Sequence, residues 1–196
     1  MKKTVFYTLI LSSMFFVLSC GSSRQVTRVN TDETIDLSGR WNDTDSRITA
    51  EALMEQLLNG RWIEQYSQQN SERPVLIVGL IRNKSHEHIS AETFIKDLEK
   101  AIIQDGSSRL VQAGDKREEL RRERADQQEF ASAATANRWG RELGADYILQ
   151  GTINTIVDEY ARDKVVFYQV DIELTDLETN EIVWMGDKKI KKVIND

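Results

Sequence analysis

One cysteine, one proline and two histidines are all that the 196 residues contain of those types. The single thiol, Cys20, has no partner for an intrachain disulfide, and with only His86 and His88 beside it no cysteine–histidine zinc set can be assembled. The one proline, Pro74, leaves no proline-rich linker. Missing too are a Walker-type phosphate loop, a dinucleotide-binding glycine fingerprint and a nucleophile elbow; Gly140-x-x-x-Gly144 reads as a helix terminus with one internal glycine. With no nucleophile, phosphate cradle or metal set in view, the chain reads as a non-enzyme that takes no cofactor, no metal and no small-molecule substrate.

Basic charge is also scarce, 26 Lys and Arg against 32 Asp and Glu. Lys2 and Lys3 open the chain, a mostly apolar run of about fourteen residues follows from Val5 to Leu18, and Val17-Leu18-Ser19-Cys20 closes it. Such a stretch is shorter than the ~20 residues of a membrane-spanning helix and has the form of an export signal, residues 1–19. Its removal leaves 24 basic against 32 acidic side chains, a net charge of −8. That sign disfavours nucleic acid, which demands a cationic footprint.

A small residue before the only cysteine resembles a lipobox, so Cys20 is the expected lipid-attachment site. Several acyl chains, each buried methylene contributing about 0.8 kcal/mol, anchor a protein to a bilayer without a spanning segment. Residues 20–36 then form a lipidated tether, GSSRQVTRVNTDETID after the cysteine, with few large apolar side chains. Its sixteen residues reach about 55 Å when stretched and roughly 20–24 Å when flexible. Gly21 offers no inner-membrane retention signal, which places the expected anchor on the periplasmic face of the outer membrane.

Residues 37–196 read as one globular domain. Ile48, Ala52, Leu53, Leu57 and Leu58 recur at helical spacing from Asp43 onward, with Asp43 or Thr44 as the expected cap and Asn59-Gly60 as the stop. Pro74 to Ile81 is a continuous apolar, β-branched run, the pattern of a strand buried on both faces. Beyond the polar loop Asn83 to His88, Ser90 as N-cap would set Ile89 and Phe94 as a hydrophobic staple. Phe94, Ile95, Leu98, Ala101 and Ile102 then form one stripe ending at Gly106. Arg109 to Gln112 reads as a short strand. Residues 115–130 read as an exposed charged helix supported by Glu118–Arg122 and Glu119–Arg122. Ala133, Ala136, Trp139 and Leu143 mark a better-buried helix over 131–143. Strands follow over Asp146–Val157, Val166–Leu174 and about Ile182–Trp184, the last two a half-buried hairpin joined at Glu178–Asn180. The order predicts an α/β or α+β domain, a mixed sheet of about five strands with helices packed on it.

The stretch IDLSGRWNDTDSR holds the densest cluster of short oxygen-bearing side chains. Read as a calcium loop from Asp43, it puts Ile48 where glycine is required and Met54 where a bidentate glutamate is required, so the loop fails. His86 and His88 lack a third nitrogen or sulfur ligand, although carboxylates could serve. Arg40 and Trp41 are the best candidates for partner binding, since planar side chains are enriched at binding hot spots; Trp41 as a plug over the first helix is the alternative.

Several stretches in order, DLSGRWNDTDSR into AEALMEQLL, RPVLIVGLIRNKSHEHI, RADQQEFAS, ATANRWGRELGADYILQGTI and VDIELTDLETNEIVWMGDKKIKK, resemble the LpoB family of penicillin-binding protein activators from about residue 35 to residue 192. The resemblance implies an outer-membrane lipoprotein with a TolB N-terminal-like domain. It implies a bifunctional peptidoglycan synthase, a class A penicillin-binding protein, as partner, stimulated in glycan polymerisation and crosslinking through preferential binding to its active conformation. The best-known member carries a long proline-rich tether, whereas this tether is short and has no proline. The other class considered is an envelope assembly lipoprotein resembling the curli-secretion type, which would need long amphipathic hairpins to line a pore; the sequence shows one hairpin.

Overall fold

The sequence alternates short helix-forming stripes with β-branched runs, and in the computed structural model, which describes residues 25–31, 33–130 and 142–195, these become four helices and five strands. The export signal, Cys20 and most of the helix expected over 131–143 lie outside the described residues.

The first helix, α1, spans Asp43–Leu58 and buries Ala50, Leu53, Met54 and Leu57. Its cap is Asn42 rather than Asp43 or Thr44: the Asn42 side chain accepts from the Asp45 N–H at 3.0 Å while the Asp45 carboxylate accepts from the Asn42 N–H at 3.0 Å. This capping box satisfies two otherwise unpaired donors reciprocally, which a cap one residue later could not do in the same geometry. The chain does not turn into a loop at Asn59-Gly60. Gly60 caps a second helix, α2 (Arg61–Gln69), which buries Trp62 and lays Tyr66 against Tyr147. The Tyr66 hydroxyl donates to Asp146 at 3.0 Å; burial and then that carboxylate push its pKa up to about 12.

Strand β1 (Val75–Asn83) follows, with Val75 to Val78 buried in succession as a strand covered on both faces. Next come α3 (Ala91–Asp105), β2 (Arg109–Leu110) and α4 (Gly114–Phe130). Ser90 stands at the N-cap of α3 without a side-chain cap bond, so Ile89 and Phe94, both buried, fix that entry by packing. Gly106 closes α3 at φ 72°, a left-handed conformation natural to glycine. Helix α4 buries no residue, as its composition predicts. Its ion pairs differ from those expected: Glu118 pairs with Arg121, not Arg122, and Arg121 also grips Glu142 through two nitrogens at 2.8 and 3.0 Å.

The chain ends in β3 (Tyr147–Tyr160), β4 (Asp163–Asp176) and β5 (Ile182–Asn195). The sheet order is β2-β1-β3-β4-β5, with β1 parallel to β2 and β3, and β3, β4 and β5 antiparallel. There are thus two long hairpins where the sequence showed one. The additional β3–β4 turn passes through Ala161 at φ 55°, and its inner side packs on the core through Val166 and Tyr168. The expected alternation in β4 holds in full: Val166, Tyr168, Val170, Ile172 and Leu174 are all buried, in one core cluster with residues of α1 and α3. The domain is α+β, a mixed five-stranded sheet with helices.

Candidate docking surface

The segment carrying Arg40 and Trp41 is held to the domain by Ser46 of the adjoining helix and by Glu87 and Tyr168 from distant elements. Glu87, from the loop after β1, accepts the Trp41 backbone N–H at 3.0 Å and the Tyr168 hydroxyl at 2.7 Å. Ser46 accepts the Trp41 indole N–H at 2.8 Å, and the indole meets the Tyr168 ring edge-on with centroids 5.4 Å apart. Burial and the Glu87 carboxylate together raise the Tyr168 pKa well above that of an ordinary phenol, so the hydroxyl stays a donor at every physiological pH. Trp41 is therefore half-buried and built into the fold. Replacing it with phenylalanine, which keeps a ring on Tyr168 but removes the donor to Ser46, should reduce stability by about 1 kcal/mol in urea unfolding.

Lys192 of β5 makes the second connection. Its ammonium lies 2.7 Å from Asp36, 2.7 Å from Asp45 and 3.0 Å from the Arg40 carbonyl oxygen. Burial alone would lower the Lys192 pKa; the hydrogen bonds and charges of Asp36 and Asp45 outweigh it and hold the pKa above the usual lysine value. Asp36 is lowered in turn by the Lys192 bond. Asn42 adds a bond from its side-chain nitrogen to Asp36 at 2.7 Å. Arg40 itself is exposed, its backbone taken into this clasp and its side chain turned out.

The loop that supplies Glu87 is braced by Asn83, whose side chain donates to the Glu87 carbonyl oxygen at 2.8 Å and accepts from the Ser85 N–H at 2.9 Å. His86 and His88 are exposed on either side of Glu87. Among the described residues no three of His, Cys, Asp and Glu converge as metal ligands. No local sequence pattern marks Glu87 or Lys192, since both act across the fold on residues more than forty positions away.

The sheet face opposite the helices carries the outward residues of the three long strands. Ile156 stands across from Phe167, and Val165 across from Val193, with Ile156 66% and Val193 64% exposed. A shallow depression higher on this face is lined by Arg82, Gln150, Thr152, Asp171 and Glu173. The last strand, β5, forms one edge of the sheet.

The model of one family, peptidoglycan-synthase activator LpoB, matches residues 45–190. The chain belongs to the LpoB family. The LpoB match begins within the first turn of α1 and ends in β5, so it takes in the helices and all five strands; Cys20, Arg40 and Trp41 precede it. As a family it is described by the activation of a synthase and not by catalysis of its own. Among solved structures, the chain is similar to the LpoB C-terminal domain from Salmonella enterica at 17% identity, covering 74% of this chain and 98% of that one, with a TM-score of 0.43. It is similar to E. coli LpoB at 13% identity, covering 92% and 85%, with a TM-score of 0.41. Lipoprotein GNA1162 from Neisseria meningitidis gives 16% identity, 61% and 83% coverage and a TM-score of 0.39. No curated protein sequence matches the chain.

Proposed function

We propose that the chain is a lipoprotein of the outer membrane, anchored through acylated Cys20 on the periplasmic face, that binds a class A penicillin-binding protein and raises its glycan polymerisation and crosslinking. The observation that carries this reading is the LpoB match over residues 45–190. In the same reading residues 1–19 are the export signal, 20–36 the tether and 37–196 the binding domain. Stimulation without catalysis works allosterically, because the domain binds the synthase's active conformation more tightly and shifts its population by that differential affinity alone. Arg40 offers its exposed guanidinium to the partner at the pole where the tether ends, with Trp41 as the support beneath it.

Two measurements test the reading. The purified full chain, added to a purified class A synthase from the same cell, should increase the rate of glycan polymerisation; the absence of both stimulation and binding across that cell's synthases would refute it. Palmitate labelling in the native cell should be strong for the natural chain and abolished in Cys20→Ala, with the variant lost from the membrane fraction; undiminished labelling rules out Cys20 as the anchor.

A further inference from the structure

The two edges of the sheet are unequal. At one side β2 is only two residues long, a common way of leaving little edge to pair with; at the other β5 runs for fourteen. An edge strand directs every second residue's N–H and C=O away from the sheet, a ready template for another strand. At Asp187 that template is already used. The Gln56 side chain from α1 donates to the Asp187 carbonyl oxygen at 3.0 Å and accepts the Asp187 N–H at 3.3 Å, as a residue of a sixth strand would. The β4–β5 register is regular from Asp163/Asn195 to Leu174/Trp184, so Lys189, Lys191 and Val193 point their backbone groups the same way as Asp187. Among the described residues nothing bonds to those three outward pairs.

Helix α1 runs beside this edge and antiparallel to it. Asp45 meets Lys192 at one end and Gln56 meets Asp187 at the other: eleven residues of helix, about 16 Å, against five of strand, about 17 Å. The edge is basic in a chain whose net charge is negative. Lys188, Lys189, Lys191 and Lys192 follow one another within five residues. Asp36 and Asp45 neutralise Lys192, and Lys189 lies 3.2 Å from Asp187 in an exposed pair of little strength. Lys188 and Lys191 have no carboxylate within ion-pair distance among the described residues, and Arg40 is exposed nearby, its carbonyl oxygen on Lys192. A second copy of this chain pairing edge to edge would set lysine against lysine, and like charges directly opposite are destabilising. An acidic strand meets the reverse situation. Lys189 and Lys191 face one side of the sheet and Ile190 the other, half-buried beside α1, so a complementary strand alternates acidic with apolar residues.

We propose that the β5 edge from Lys189 to Val193 is a strand-addition site for an extended partner segment in which acidic and apolar residues alternate. Backbone hydrogen bonds give such a contact its affinity, and the alternating side chains give it selectivity. That the segment belongs to the synthase rests on the activator reading; the edge chemistry does not.

The test uses the full lipidated chain, isotope-labelled in detergent micelles, and the capped peptide Thr-Glu-Val-Glu-Val-Glu-Val-Thr at up to about 1 mM. Amide exchange at Lys189, Lys191 and Val193 should slow by about tenfold or more on binding. Lys191→Pro removes an outward donor that β4 does not use, so the sheet is kept while the peptide affinity falls at least about tenfold. The double variant Lys188→Glu, Lys191→Glu keeps the donors and should lose binding comparably. No slowing at those amides, equal binding of a peptide with Lys in place of Glu, or protection appearing on concentration without peptide would each overturn the proposal. If the peptide binds the edge while no synthase is bound or stimulated, the edge stands and the activator reading falls. If the synthase is stimulated equally by the natural chain and by Lys191→Pro, the activator reading stands and the assignment of the segment to the synthase falls.

Discussion

Asp45→Ala should lower the melting temperature by about 6–12 °C, corresponding to a loss of about 3 kcal/mol in a domain of this size. Asp45 is 4% exposed, and its carboxylate plays two parts at once, accepting the Asn42 N–H that opens α1 and facing the Lys192 ammonium at 2.7 Å. Removing it leaves a part-buried donor without its acceptor and a half-buried cation with Asp36 as its only carboxylate. Asp45→Asn, which keeps an acceptor for Asn42 but gives up the charge, should lose less. The same cluster sets a pH window. Lys192 is raised above 10.5 in the fold, so its contribution is complete below about pH 10.5 and disappears as pH rises through the higher folded value. Asp36 is lowered below 3.8, so its contribution is present above about pH 4 and disappears as pH falls through the lower folded value. Thermal melts of the natural chain should therefore lose this contribution only at the two extremes, and Lys192→Met should flatten the alkaline limb.

Gly151→Ala should destabilise the domain by about 2–3 kcal/mol, read as a lower urea midpoint with unchanged slope. Gly151 lies in β3, where β1 pairs on one side and β4 on the other. A Cβ added there presses onto the Asp171 carbonyl oxygen and the Ile172 side chain and stands 3.2 Å from the Ile172 Cα. Two of those three obstacles are backbone, so the strands must separate to admit even a methyl group. Gly144→Ala is the control, since its added Cβ meets nothing within 4 Å; it should stay within about 0.5 kcal/mol of the natural chain.

Where hydrophobic spacing was strong, sequence and structure agree closely. The stripe Phe94, Leu98, Ile102 and the alternation Val166 to Leu174 each appear as a fully buried face. Helix α2 escaped because Asn59-Gly60 looks like a helix stop, and the nine residues beyond it bury only Trp62; the Trp62–Tyr66 spacing was the one available signal. The β3–β4 hairpin escaped for another reason. Its turn carries no glycine or asparagine, and Ala161 takes the left-handed conformation that those residues normally announce. By contrast the β4–β5 turn was legible through Asn180, which sits at φ 63°. What sequence could not supply is long-range polar pairing. The acidic cluster at Asp43 and Asp45 fails as a calcium loop in the sequence itself, but nothing in the sequence shows that Asp45 serves a lysine nearly 150 positions away.

Asp36, the last residue before the domain, is joined by Lys192 to the domain's last strand, so a force on the chain from its N-terminal side would fall on that junction. A pull arriving along the chain from the N-terminal side reaches Ile35 and Asp36, both bonded by the Asn42 side chain, and passes through Lys192 into β5 and through Asn42 and Asp45 into α1. Tension entering there is divided between α1, which opens the fold, and β5, which closes it.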